Sequence, residues 1–595
     1  MASMTPRMNR RDFLRLAAVT VATSTVPLAG CGDTSSAAPL STDPADVARV
    51  FPQGIASGDP TWESVVLWTR VEGATSGDRI GYEIALDEAF TQVVARGEAS
   101  TDADRDHTVK IKPVGLSPYT TYWYRFVGLG VASPVGRTRT APEPGQDVPV
   151  RFAFASCQDF VGRYFHSWRA LVERHADDLD FVVHLGDYVY ETDGDQDFQT
   201  PGEGRSITLP DGLALGEAQG SGRAAVTLAD YRSLYRQYRN DEWLKRAHQL
   251  FPFVNIWDDH EFGNDCWQDH TTHFDEKQGD EKSTAQREAA DRAWFENQPA
   301  DVAYVEGASF PNDIRIYRGL RWGQHVEMFM IDDRFYRADH LVPEGPIDLE
   351  VGKFSANSSL GSRNFVLKSG FDAREEKARP SLLGAEQKQW LADGVRGSDA
   401  TWKIIGSGVQ LAQMAVDLSG FPLLPAQFRA EFYFSCDQWD GYRSERTDLL
   451  RSLSSVENLL AIAGDIHAFY AGELHVDFDA QAEPMAAEFV VAGISSASVQ
   501  EITQATVDSS PTLSALGLGS LVGQFDTLLQ SSNPHNRYAR SMANGVAVMT
   551  VDRSNGVEVE FLQLDPKAVR SADWDGAVDV ARFRVDAGSS RIRRV

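Results

Sequence analysis

A chain of 595 residues is too long for one ordinary domain and is expected to carry two, one of them large. Hydrophobic residues at 42%, aromatics at 10% and charges spread along the whole length describe a soluble globular protein with a sizeable core. A net charge of −28 with no Lys/Arg-rich run excludes a general nucleic-acid binder, and only four cysteines (Cys31, Cys157, Cys266, Cys436) exclude a disulfide scaffold. An acidic surface repels anions, so a phosphate substrate would need local metals or arginines.

Residues 1–31 read as an export leader. Asn9-Arg10-Arg11-Asp12-Phe13-Leu14-Arg15 precedes a modest apolar stretch, Leu16 to Ala29, too short to span a bilayer of roughly 30 Å. The pattern resembles a twin-arginine signal, read by the export machinery as an address, whose substrates commonly leave the cytoplasm folded and loaded with cofactor. Leu28-Ala29-Gly30-Cys31 resembles a lipobox, which would make Cys31 a lipid anchor to the membrane; a plain small-residue cleavage site fits as well. The expected location is periplasmic, cell-surface or extracellular. Residues 32–46 are read as a flexible tether.

Residues 47–140 show short strands with turn punctuation, such as Val65–Val71, Ile80–Leu86 and Val109–Pro113. Leu116 to Tyr124 resembles the tyrosine corner of fibronectin-type sandwiches, so a small N-terminal β-sandwich is expected. Residues 141–150, rich in Pro, Gly and acid, read as a linker. From 151 to 565 apolar runs (Arg151–Ala155, Phe181–Leu185, Phe253–Trp257, Val326–Ile331, Lys403–Gly408, Leu459–Ala463) alternate with helical segments such as Ser283–Asn297 and Ala385–Gly394. That alternation predicts a layered α/β or α+β core, with residues 566–595 as a C-terminal segment. Long polar inserts around 191–230, 264–312 and 338–380 read as rims and lids of an active site.

Four apolar runs end in ligand-type residues: Ser156-Cys157-Gln158, Gly186-Asp187-Tyr188-Val189-Tyr190, Asp258-Asp259-His260-Glu261 and Gly464-Asp465-Ile466-His467. One aspartate after a strand is commonly a turn or cap; four such ends predict a shared metal site, because loops converge at strand C-termini. Asp187 and Tyr190 can face one side of a tight turn. Asp465 and His467, two apart, project to one side if their segment is extended. Thiolate, phenolate, imidazole and carboxylate together favour a ferric ion, and the oxygen donors of Asp187, Asp259, Asn264 and Asp465 suit Ca²⁺ or Mn²⁺. Asp187 is placed to bridge two ions, and a hydroxide or oxide held between ions attacks phosphorus at neutral pH.

Gly186-Asp-x-x-Tyr190, Asp258-Asp259-His260-Glu261 and Gly464-Asp-x-His467 resemble the calcineurin-like metallophosphoesterases typified by purple acid phosphatases. Cys157 replaces that family's first Asp, the quartet replaces Gly-Asn-His-Glu, and Asp465 stands where it has His. These departures resemble the alkaline phosphatase D (PhoD-like) family, as do Gly54-Ile-Ala-Ser-Gly-Asp59-Pro60, Ser64 to Arg70, Leu383-Gly-Ala-Glu-Gln387 and Asp437-Gln-Trp-Asp-Gly-Tyr442. The resemblance spans nearly the whole mature chain. It implies a four-layer αββα core behind the sandwich and hydrolysis of phosphomonoesters or phosphodiesters. It also implies Fe³⁺ on Cys157, Asp187, Tyr190 and His467, two Ca²⁺ facing Asp187, Asp259 and Asp465 with Asn264 beside them, and His260 as catalytic histidine. Asn544-Gly545-Val546 departs from the Gly-Tyr expected near the closing strand.

Arg334 follows a buried strand and could clamp phosphate oxygens; an ion pair with a neighbouring Asp is the alternative. His184 reads as a satisfied core histidine, His270 and His273 as surface residues of an insert, and Cys266 and Cys436 as free thiols. His535 fits the site border or a turn. The reading is an exported, monomeric phosphatase. A phosphodiesterase acting on phospholipids or teichoic acids is the nearest alternative, and a non-catalytic surface binding protein a remote one.

Overall fold

The computed structural model describes residues 40–595 apart from 196–198, 200–203, 216–221, 272–280, 343–362, 481–482, 510–513, 515–516 and 553–555. The leader, Cys31, most of the tether and His273 lie outside the described residues. Residues 41–46 do not behave as tether: Ser41 bridges Val131, and Asp43 caps the helix Pro44–Val50 by accepting from the Ala45 N–H at 2.9 Å.

Val150–Ala155, Phe181–His184 and Pro252–Asn255 are short runs with little or no exposed surface on either face. Such runs need cover on both sides, and they pair in parallel, Phe181 against Phe152 and Val182 against Phe253. Antiparallel Asn544–Val551, Val557–Leu564 and Asp579–Val585 extend this sheet from the Val150–Ala155 edge, so the segment after residue 565 is built into the core. A second sheet has a parallel centre, Val326–Met330, Trp402–Gly406, Leu459–Ala463 and Ala486–Val490.

The two sheets face one another. Phe152, Phe154 and Val182 of the first pack in one buried cluster with Ile404, Leu460 and Phe489 of the second. Successive strand residues point to opposite faces, so Ile405 and Ala461 pack outward on Leu391, Val395, Leu449 and Leu453 of the helices Gly384–Gly397 and Arg443–Leu453. The helix His166–His175 covers the other side through Trp168 and Leu171. Helix, sheet, sheet and helix make the four layers that the family resemblance implied. Burying each large apolar side chain contributes about 1.5–3 kcal/mol, and the four-layer arrangement buries them on both faces of both sheets.

The N-terminal sandwich is present. Arg79–Ala85, Val93–Ser100, Thr121–Gly128 and Gly136–Arg139 belong to one sheet, and Ile55–Gly58, Val66–Arg70 and Thr108–Ile111 face it across Leu67, Ile80, Tyr124 and Phe126. The tyrosine corner closes as expected, with the Ser117 N–H donating to the Tyr122 hydroxyl at 2.8 Å. The second sheet is not separate from the core, however. Ser57 pairs with Pro252 and Gly58 with Phe253, so one ten-stranded sheet runs through both regions. A Cβ at Gly58 would lie 2.2 Å from the Pro299 carbonyl oxygen, which leaves glycine as the residue that permits this approach. Just beyond it, Asp59 accepts from Arg318 Nε at 2.8 Å and Nη2 at 2.7 Å, and from the Asp301 N–H at 2.6 Å.

Removing the carboxylate would leave the Arg318 guanidinium without its ion-pair partner at this junction. Asp59→Ala is expected to cost about 3 kcal/mol, read as a lowered denaturation midpoint, with Asp59→Glu intermediate.

Candidate metal centre

All four ligand-bearing segments emerge at the same end of the sheets, from Val150–Ala155, Phe181–His184, Pro252–Asn255 and Leu459–Ala463. Four of the predicted ligands sit in left-handed backbone: Cys157 (φ 56°), Asp187 (φ 55°), Asp465 (φ 62°) and His467 (φ 53°). Non-glycine residues avoid that region unless the surroundings over-determine it. The reading of residues 464–467 as an extended segment is therefore corrected. Asp465 and His467 reach the site through two left-handed bends, which turn the chain sharply enough for both side chains to point inward. Gly186 (φ 105°) precedes Asp187, and a Cβ there would meet the Asp258 backbone nitrogen and Cβ at 2.5 Å.

The donors fall into two main sets that share Asp187, and a third grouping brings Asp187 and Asp259 within the same reach of His260. Ligand atoms of Cys157, Asp187 and His467 lie within 4.8 Å of one another, and the Tyr190 hydroxyl is 3.3 Å from Asp187 Oδ2 and 3.2 Å from His467 Nε2. Carboxylate oxygens of Asp187, Asp258, Asp259 and Asp465 form the second set within the same limit, so Asp258 joins the predicted oxygen donors. Asn264 is buried beside this set, its N–H donating to Glu191 Oε1 at 2.8 Å. His467 Nδ1 lies 2.7 Å from the Ala497 carbonyl, and burial pushes its pKa down to about 4, so the ring is neutral with the Nε2 lone pair facing the site.

The electrostatics show what this arrangement needs. Burial first, then Asp187 and Asp465, drive the Cys157 thiol well above its usual pKa. Burial, then Asp187 and Cys157, do the same to the Tyr190 hydroxyl. Burial raises Asp187 and Asp465 too, with Asp259 and Asp258 respectively the leading neighbours, and burial lifts Asp258 to about 8. Asp258 Oδ2 is buried with no hydrogen-bond partner. A thiol, a phenol and four carboxylates compressed into one water-poor site become good anionic ligands only when cations balance them, and cations reverse every one of these shifts. The residues fit metal binding: soft and phenolic donors on one side, all-oxygen donors on the other.

Several organising residues escaped the sequence reading. Glu261 accepts from the N–H groups of Asp187 (3.0 Å), Tyr188 (2.7 Å) and Asp258 (2.8 Å), tying two ligand turns together. The Ser496 hydroxyl lies 2.7 Å from the Tyr190 oxygen and 2.8 Å from the Cys157 carbonyl, within reach to donate its one hydrogen to either. Glu191 lies 2.7 Å from His260 Nδ1, and the His260 ring stacks on Tyr190 at 4.0 Å. Burial opposes protonation of His260, but Glu191, Asp259 and Asp187 outweigh it and raise its pKa well above the ordinary value. Glu261 closed a recognised quartet and Glu191 follows Tyr190, yet neither sequence position says which backbone amide or ring nitrogen it will meet.

Arg334 differs from the phosphate clamp considered for it. Its side chain is fully buried, bonds Asp258 through Nε, reaches Asp437 through Nη1 at 2.9 Å and meets Asp465 Oδ1 through Nη2 at 3.3 Å. Every guanidinium nitrogen faces a carboxylate, so the ion-pair alternative describes its geometry. Asp437 in turn is held well below the usual carboxylate range: burial opposes this, but Arg334 and Arg337 prevail.

The other histidines and cysteines singled out in the sequence supply no atom to these donor groups, although Cys266 Sγ lies 3.7 Å from the Asp259 carbonyl. His184 is in the core, but neither ring nitrogen has a partner and burial lowers its pKa to about 3. His270 is half-buried, stacked on Trp267 at 3.8 Å. His535 Nε2 meets the Gln413 carbonyl at 2.8 Å, a structural contact away from the ligands. Cys266 and Cys436 are free and buried. Asn544, at the departure from the family pattern, donates to the carbonyls of Gly493 (3.0 Å) and Ser496 (2.7 Å) and so holds the loop that carries Ser496.

Gly186→Ala tests the turn. Left-handed strain of about 1–3 kcal/mol plus the clash with Asp258 is expected to displace Asp187, and elemental analysis of the purified variant should show lost metal even where the protein remains folded by circular dichroism.

Comparison with known proteins agrees with this geometry. Residues 152–561 match the PhoD-like phosphatase family, and residues 35–142 match the PhoD-like phosphatase N-terminal domain. Alkaline phosphatase D of Bacillus subtilis (strain 168) is 32% identical over 461 residues, which cover 75% of this chain and 69% of that protein. A solved structure of PhoD superposes with a TM-score of 0.70 at 27% identity, covering 92% of each chain. The chain belongs to the PhoD-like phosphatase family and is a phosphoric ester hydrolase.

Proposed function

We propose that the protein is an exported metal-dependent phosphatase that hydrolyses phosphomonoesters, phosphodiesters or both. The observation that carries this reading is the convergence of two chemically distinct donor sets on one shared carboxylate, Asp187. Cys157, Asp187, Tyr190 and His467 would hold Fe³⁺; Asp187, Asp259 and Asp465, with Asp258 and Asn264 beside them, would hold two Ca²⁺. When bound, such ions supply positive charge to the phosphoryl oxygens and make water a competent nucleophile at neutral pH.

The chain's own residues do the rest. His260 is the proton donor to the leaving oxygen: Glu191 holds Nδ1 and the Tyr190 ring fixes the imidazole plane. The Glu191 carboxylate against Nδ1 favours the protonated ring. Arg334 acts as a positioning residue, holding Asp258, Asp437 and Asp465 against their mutual repulsion. The turn at Asp465 and His467 is only partly buried, in contrast to Cys157 and Asp187, so substrate approaches from that side.

Export through the twin-arginine pathway is supported by Arg10-Arg11 and the short apolar stretch behind them, and a lipid anchor by Leu28-Ala29-Gly30-Cys31. Among the described residues no helix is long and apolar enough to cross a membrane.

Elemental analysis of protein exported by its own pathway is expected to find iron and calcium. A tyrosinate–ferric absorption band should be present and should vanish in Tyr190→Phe. Cys157→Ala or Asp187→Ala retaining both metal content and activity would sink the assignment. A separate measurement addresses the proton donor. His260→Gln is expected to keep its metals while kcat falls by roughly 10²- to 10⁴-fold, with the smallest loss on nitrophenyl esters, whose leaving group needs little protonation. Assaying a chromogenic monoester beside a diester then decides the preferred ester class.

A further inference from the structure

We infer that Ser496 is a positioning residue of the metal centre: its hydroxyl donates to the Tyr190 phenolate once iron is in place and damps the electron donation of that phenolate to the ferric ion. This role rests on the ferric reading of Cys157, Asp187, Tyr190 and His467. Ser496 is 2% exposed, in the segment that follows the strand Ala486–Val490. Its Oγ lies 2.7 Å from the Tyr190 oxygen and 2.8 Å from the Cys157 carbonyl, and it accepts from the Asp159 N–H at 3.2 Å. A hydroxyl has one hydrogen to give, so the two oxygens compete for it.

Charge decides that competition. The Cys157 carbonyl is a neutral acceptor and already faces the backbone N–H groups of Ser495 and Ser496, each at 3.4 Å. The Tyr190 oxygen, as a metal ligand, is a phenolate that has lost its own hydrogen. Hydrogen bonds to an ionised acceptor are about twice as strong as neutral ones. Asp187 Oδ2 at 3.3 Å and His467 Nε2 at 3.2 Å also border that oxygen, but with the His467 hydrogen on Nδ1, against the Ala497 carbonyl, both present lone pairs. Of these three neighbours Ser496 is the one with a hydrogen to donate.

The Ser496 loop is held against the ligand turn from two sides. Asn544 Nδ2 donates to the carbonyls of Ser496 at 2.7 Å and Gly493 at 3.0 Å. A Cβ at Gly493 would lie 3.0 Å from the Cys157 carbonyl oxygen and 3.3 Å from the Ser496 Cβ, so glycine there lets the loop close on Cys157. A hydrogen bond to a ligand atom tunes the ion that the ligand holds. Here it draws electron density away from the phenolate oxygen. The ferric ion is left a stronger Lewis acid toward a phosphoryl oxygen, and easier to reduce.

The visible spectrum of the iron-loaded enzyme provides the test. Ser496→Ala is expected to move the tyrosinate–ferric band to longer wavelength and to make the iron harder to reduce, because the phenolate then donates more freely. Ser495→Ala is the control. Its hydroxyl donates to the Asp159 carbonyl at 2.6 Å from the same loop, and its loss should leave the band in place. An unmoved band in Ser496→Ala, or an equal shift in Ser495→Ala, would overturn the role of Ser496 and leave the ferric reading standing. A parent enzyme that lacks the band would overturn both. Neutron diffraction from deuterium-exchanged crystals of the loaded parent enzyme needs no variant. The Ser496 deuterium should point at the Tyr190 oxygen; a deuterium aimed at the Cys157 carbonyl would refute the inference whether or not Ser496→Ala folds.

Discussion

The constraint on which the rest of this structure depends is the mutual repulsion of four carboxylates brought within one ligand radius. Asp187, Asp258, Asp259 and Asp465 are individually costly to bury and collectively worse. The fold meets that cost from two directions. Arg334 lies behind the cluster and offers a nitrogen to Asp258, Asp437 and Asp465, so part of the charge is neutralised by protein. The remainder is met only in part, by Arg334 at 3.8 Å from Asp259 and by the His260 ring, and the residual negative charge suits the site to metal cations. An arginine that turned outward to grip phosphate would surrender the neutralisation, which is why its complete burial makes chemical sense.

Geometry imposes a second cost, paid in backbone strain. Cys157, Asp187, Asp465 and His467 all adopt left-handed conformations that a free chain would leave. The surroundings hold them there through specific contacts: Glu261 grips the amides of Asp187, Tyr188 and Asp258, Ser496 ties Tyr190 to the Cys157 carbonyl, and Asn544 fixes the Ser496 loop from the closing strand. Because these supports come from segments far apart in sequence, the ligands are pre-placed by the folded core. The two packed sheets make this possible by bringing their strand C-termini to one end.

The N-terminal region takes part in that rigidity. Its inner sheet continues the catalytic sheet through Ser57 and Gly58, and Asp59 clamps Arg318 across the boundary. An arrangement in which two regions share a sheet resists hinge motion, because bending there would break ladder hydrogen bonds and expose the apolar faces beneath. Reading residues 141–150 as a linker marked the right place for a change of pattern but missed the continuity, since strand pairing between distant segments leaves no trace in local composition.

Much of the candidate site was legible before any coordinates. Apolar runs closing on Asp, Cys, Tyr and His betrayed strand ends, because buried strands are apolar on both faces and ligand loops must follow them. A thiol and a phenol among the candidate donors raised the expectation of a ferric ion, since ligand chemistry is a property of residue type. Those features are local, and the sequence by itself determined them: the candidate donor residues, the strands that carry them and the family they resemble. The tertiary structure alone decided the rest. It turned Asp465 and His467 inward through left-handed bends instead of an extended strand, added Asp258 to the donors, paired His260 with Glu191, and buried Arg334 among aspartates. Each of those outcomes depends on which groups from distant segments meet in a low-dielectric interior, where a contact of 3 Å or one unpaired charge outweighs any local preference.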